Sequence, residues 1–163
     1  SEEFYLEFAQ APNPAVVIKI NRQNNFELGK GPSFDNIVAG LRKKYGPESA
    51  INTTTPPGTF VARWFFDERG QALRGNLANQ IFDSCRGADT QPTNQGLCST
   101  LTVLNANVQA DGSGVVISMI VNATNEPLKF NAQETTNALL SKVQQDVARQ
   151  QQNEASQRAA PKL

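Results

Sequence analysis

The sequence predicts an α+β fold: a mostly antiparallel sheet with two main helices packed on it, and one disulfide. Three observations carry that expectation. Phe34–Tyr45 and Ala132–Val147 place apolar residues at helical spacing. Ala15–Ile20, Thr59–Phe66, Ser99–Ala110 and Val115–Thr124 have strand patterns bounded by turn residues. Two cysteines bracket a loop-like segment. At 163 residues the chain fits one domain with a sizeable core.

In chain order, residues 3–8 alternate with Phe4, Leu6 and Phe8 on one side, and they fit either a strand or a short helix. Pro12 and Pro14 end that unit. Ala15–Ile20 is a strand, and Asn24-Asn25 is read as a turn into a second short strand, Phe26–Leu28. Ser33 is placed to cap a helix whose stripe is Phe34, Ile37, Val38, Leu41 and Tyr45, with Gly46 and Pro47 as its stop. Thr59–Phe66 puts Phe60, Ala62, Trp64 and Phe66 on one face. Asp67–Gly70 then turns the chain into a return strand, Gln71–Arg74. Asn76 caps a short helix through Leu77, Ile81 and Phe82. Asp111–Gly114 joins the last two strands. Val115–Thr124 is apolar on both faces, which predicts a central strand. Asn131, with Glu134, is read as capping the final helix. Its stripe Leu139, Leu140, Val143 and Val147 is expected to be buried. The pattern fades after Arg149, giving one domain over residues 1–149 and a polar tail over 150–163.

Cys85 and Cys98 are separated by twelve residues that include Gly87, Asp89, Pro92, Asn94 and Gly96. Closing such a loop would stabilise by about 3 kcal/mol in the chain-entropy model. The spacing is wrong for a redox pair, and two cysteines without histidine do not make a zinc site. A Cys85–Cys98 disulfide implies an oxidising compartment, periplasmic or extracellular.

Composition narrows the function classes. The chain carries fifteen basic and fifteen acidic residues, balanced six and six over residues 1–50, four and four over 51–100, and five and five over 101–163. No segment is a basic arm, which argues against nucleic acid and anionic lipid as partners. No run is apolar and long enough to span a bilayer. Ser1 is compatible with a trimmed end after a signal peptide. The absence of histidine removes the usual general base and the commonest zinc ligand, so no catalytic residue, metal or cofactor is assigned.

Asp111-Gly112-Ser113-Gly114 lacks the ligand spacing of a calcium loop and reads as a turn. Gly29-Lys30-Gly31-Pro32-Ser33 lacks the spacing of a phosphate-binding loop. Asn52-Thr53-Thr54 and Asn122-Ala123-Thr124 match the glycosylation sequon, as chance allows in a chain rich in Asn and Thr. Arg42, Lys43 and Lys44 suit the dipole at a helix end. If Trp64 and Phe66 face the core, Arg63 and Phe65 face outward and form the best candidate contact patch. Asp67, Glu68 and Asp83 are the candidate carboxylates for acid–base chemistry.

The helix ending in Lys44-Tyr45-Gly46-Pro47, the aromatic strand after it and the turn Asp67-Glu68-Arg69-Gly70 resemble small exported proteins of the bacterial envelope. The two cysteines, the later hairpin and the Ala/Gln-rich end in Pro161-Lys162-Leu163 extend the resemblance over most of the chain. It implies a periplasmic location and no activity or site residue. The resulting expectation is a non-enzymatic periplasmic or secreted protein that binds another macromolecule, a protein or envelope component. A carboxylate-dependent hydrolase of the cell envelope is the alternative.

Overall fold

Seven strands pair into one antiparallel sheet because their β-branched and aromatic residues have both neighbours and cover. The computed structural model describes residues 1–76, 78, 81 and 97–158. The strands are β1 (Glu2–Phe8), β2 (Val17–Asn25), β3 (Ala50–Ile51), β4 (Thr59–Phe66), β5 (Ala72–Leu73), β6 (Thr102–Ala110) and β7 (Val116–Asn125). Their order is β1-β2-β7-β6-β4-β3, with β5 also on β4. The helices are α1 (Phe34–Tyr45) and α2 (Glu126–Gln157). A 3-10 turn at Leu97–Thr100 leads into β6.

The register fixes what each face carries. One face shows the rows Trp64–Leu104–Ala123–Ile20–Leu6 and Ala62–Ala106–Val121–Arg22–Phe4, running from β4 to β1. α1 lays Val38 and Leu41 on the β4–β6–β7 end of that face and makes the larger core with Phe60, Ala62, Trp64, Val108 and Met119. Trp64 is fully buried, and its indole N–H donates to the Gly46 carbonyl at 2.9 Å. That bond satisfies the one polar atom that so large a side chain takes into the core. A register shift between Gln109 and Ala110 turns Val116 into the same core, as bulges re-aim the residues beside them. The loop before α1 closes against β7: Val116 N–H donates to the Pro32 carbonyl at 2.9 Å. A Cβ on Gly31 would lie 1.9 Å from the Val116 carbonyl oxygen, so only glycine allows this approach.

The opposite face carries Arg63–Asn105–Asn122–Asn21–Tyr5 in one row and Phe65–Val103–Thr124–Lys19–Glu7 in the next. A second core lies on it, built from Ala50, Phe65, Ala78, Ile81, Cys98, Leu101 and Val103. The sheet is thus covered on both sides, and β7 is central, as its apolar pattern predicts.

Several expectations are corrected. The disulfide lies only partly within the described residues: Cys98 is disulfide-bonded, and Cys85, the other cysteine of the sequence, lies outside them. Cys98 is buried in the second core, and no free cysteine occurs among the described residues. What the structure describes is an antiparallel sheet with helices and two apolar cores, with the disulfide-bonded Cys98 in the second. Asn24-Asn25 is not a turn. β2 runs through Asn25, and Phe26 N–H continues the ladder onto the Ile117 carbonyl at 3.0 Å. α2 starts at Glu126 and not at Ala132. Asn125 caps it, accepting from Leu128 N–H at 3.1 Å, and Pro127 fits the first turn, where its missing N–H costs nothing. The helix also continues past Arg149 to Gln157.

Candidate interaction surfaces

The patch expected at Arg63 and Phe65 does not exist as a surface. Phe65 is fully buried in the second core, because the face opposite Trp64 is covered too. Its backbone N–H donates to the Ser49 hydroxyl at 3.0 Å. Arg63 is half-buried in the asparagine row beside Ala50 and Asn105. In that row Asn105 donates to Asn122 at 3.0 Å. On the same face the side-chain oxygens of Asn21, Asn105, Asn107 and Thr124 are buried with no hydrogen-bond partner among the described residues.

The candidate carboxylates do not assemble a site among the described residues. Asp67 holds its own turn, one carboxylate oxygen accepting from Arg69 N–H at 2.9 Å and Gln71 N–H at 2.8 Å. Glu68 is exposed at the tip of that turn, and Asp83 lies outside the described residues. Asp111 is engaged similarly. The Ser113 hydroxyl, then the Val115 N–H, hold its carboxyl below the usual range. No cluster of three or more acidic, cysteine or histidine side chains able to hold a metal occurs among the described residues.

What the structure does present is apolar surface. α1 covers only part of its face of the sheet, so the β1–β2 end stands open beside it. Between them runs a half-open groove of about 630 Å³ lined by Phe4, Ile20, Ile37, Leu41, Tyr45 and Met119, among others. Arg22 stands at its margin, paired with Glu2 at 2.6 Å and with its guanidinium 5.7 Å from the centre of the Phe4 ring. Every residue of β1 is exposed, Phe4, Leu6 and Phe8 included.

The larger exposure is on α2. Its first turns are docked. Glu126 and Ala132 are buried, Glu126 N–H donates to the Leu101 carbonyl at 3.2 Å, and Asn13 donates to the Ala132 carbonyl at 2.9 Å. Thr136 reaches the Ala11 carbonyl at 3.1 Å. Past it, Asn137 and Leu140 still border a crevice of about 320 Å³ with Glu7, Phe8, Gln10 and Ile18. Residues 137–157 continue as helix with every side chain exposed. Leu139, Leu140, Val143 and Val147 are 40%, 54%, 50% and 48% exposed, which corrects the expectation that they are core. At about 100° per residue they prolong the face on which Ala132 and Thr136 dock. The helical period identified the apolar side of α2 but not the reach of the body beneath it.

No helix among the described residues is long and apolar enough to cross a membrane. Compared with protein-family profiles, curated proteins and solved structures, the chain matches none.

Proposed function

We propose that the protein is a non-enzymatic binding module whose partner is another protein chain, engaged by the exposed half of α2. The observation that supports this is the stripe Leu139, Leu140, Val143 and Val147, exposed on the part of α2 that runs out past the sheet. Single exposed apolar residues are ordinary, but a contiguous stripe marks an interaction site. A helix of this kind, isolated in water and with few apolar anchors, is marginal, and an amphipathic face is normally held by something packed on it.

The test compares the full chain with its Leu139→Gln/Val143→Gln variant as bait in an extract of the source cells. Glutamine keeps helix propensity and removes the apolar surface. The reading predicts an unchanged melting temperature for the body, and a protein, another copy included, that the parent retains and the variant loses. Equal retention by the two chains, or none by either, overturns it.

A further inference from the structure

We infer that the groove between α1 and the β1–β2 end of the sheet binds a single-chain amphiphile with an anionic head, a fatty acid in its chemistry, whose carboxylate is held by Arg22 and Lys44. The site is separate from the α2 stripe and independent of the reading given to it.

The groove continues the larger core into the open. Val121 and Ala123 pack against that core, while Phe4 and Ile20, in the same cross-strand rows, are exposed. Across from them α1 presents Asn36, Gly40 and Lys44, one turn apart along one flank, over about 12 Å. Gly40 stands in the middle of the helix, where only proline is less favourable. No turn or contact requires it. Its φ is not positive, and a Cβ there would meet nothing within 4 Å. Its effect is to leave the helix backbone bare and the groove open at that point.

The polar groups of the lining select the occupant. Arg22 on β2 and Lys44 on α1 stand on opposite walls, and both donate without accepting. Arg22 gives its Nε–H and one terminal N–H to a single Glu2 oxygen, 2.6 Å from each nitrogen, which leaves the other N–H groups of its fork. Lys44 lies 5.1 Å from the centre of the Tyr45 ring and has no ion pair among the described residues. Lys43 and Lys44 also offset the negative end of the α1 dipole, which would otherwise repel an anion here. A peptide in this groove would bring an N–H at every residue, and the lining offers side-chain oxygens only from Asn36 and Tyr45. An acyl chain brings no polar group behind its head, and a carboxylate head takes what Arg22 and Lys44 donate. Mostly apolar walls with a few placed polar groups, around about 630 Å³, are the usual make-up of a small-molecule site.

Calorimetric titration of the full chain with monomeric decanoate at neutral pH tests this. One site with a Kd below about 0.5 mM is expected. Decan-1-ol should bind about tenfold more weakly, and decyltrimethylammonium more weakly still, because its head meets two cations. Arg22→Gln/Lys44→Gln should weaken decanoate about tenfold and leave decan-1-ol unchanged. Gly40→Leu should abolish binding with no fall in melting temperature, since leucine favours the helix and its Cβ meets nothing within 4 Å. Leu139→Gln/Val143→Gln should bind decanoate as the parent does. Absence of decanoate binding overturns the inference, and so does equal binding by Gly40→Leu. Decan-1-ol that binds as tightly as decanoate overturns it too. Loss of binding in Leu139→Gln/Val143→Gln would place the site on α2 and overturn it as well.

Discussion

Phe65→Ala separates a one-sided sheet from a two-sided one. On a sheet with one solvated face, Phe65 would point to water opposite Trp64, and its truncation would change stability by less than about 0.5 kcal/mol. In the structure its ring is fully buried among Ala50, Ala78, Ile81, Leu101 and Val103. Removing it forfeits the transfer free energy of the ring and leaves a void that the surrounding small residues fill poorly. Such truncations cost about 3–5 kcal/mol. For a chain of this size that is a fall in melting temperature of roughly 10 °C. The assay is urea unfolding followed by the fluorescence of Trp64, with m-values compared so that only a shift in midpoint counts as lost stability. Val143→Ala, made at an exposed position of the docked helix's free half, is the control and should lie within about 0.5 kcal/mol of the parent at dilute concentration. A loss below about 1 kcal/mol for Phe65→Ala would refute the second core.

Two further perturbations probe the joints. Gly31→Ala should cost about 1–3 kcal/mol, because its Cβ collides with the Val116 carbonyl and must push the loop off β7. Gly112→Ala, where nothing lies within 4 Å of the new Cβ, should be nearly neutral, and equal effects in a thermal melt would refute the close approach. Glu48 tests the link from α1 to the following loop. Arg42 binds it through two hydrogen bonds, 3.0 Å and 2.6 Å, and the bond to Arg42 holds its carboxyl below the usual range against a smaller opposing effect of burial. A carboxyl lowered in the folded state stabilises above its unfolded pKa and loses that contribution as pH falls through its folded one. Stability should therefore drop as pH descends through and below the ordinary carboxylate range, and Glu48→Gln should remove up to about 1 kcal/mol of that drop. Identical pH profiles in urea titrations would show that the pair contributes nothing.

Local chemistry made some elements readable and left others ambiguous. α1 and β4 have the bounds that their sequences predict, because Ser33, Gly46, Pro47 and the aromatic run of β4 act within a few residues of themselves. The hairpin at Asp111 is legible for the same reason: Asp111 and Gly114 supply the bonds that the turn needs. Strand alternation separates two faces but does not say which are covered, and the cover of Phe65 comes from Ala50, Leu101 and Cys98, distant in sequence. The start of α2 was legible in Asn125 and Pro127, yet Asn131 offered a competing cap next to the more obvious apolar period. The candidate surface was visible only as a pattern. Leu139, Leu140, Val143 and Val147 announce a sticky face, while whether it lies on the body depends on where α2 leaves the sheet, and no local signal encodes that.

The central claim is that the free half of α2 is covered by another protein chain, and amide hydrogen exchange of the full protein, alone and with the protein that it retains from the extract, tests it most directly. Amides of residues 139–147 lie beyond the body, so a lone chain should protect them little. Their protection must rise when the protein that the chain retains from the extract is added in excess, while the amides of β6 and β7 stay as protected as before. Exchange at residues 139–147 that is the same with and without that partner, fast or slow, would contradict the account.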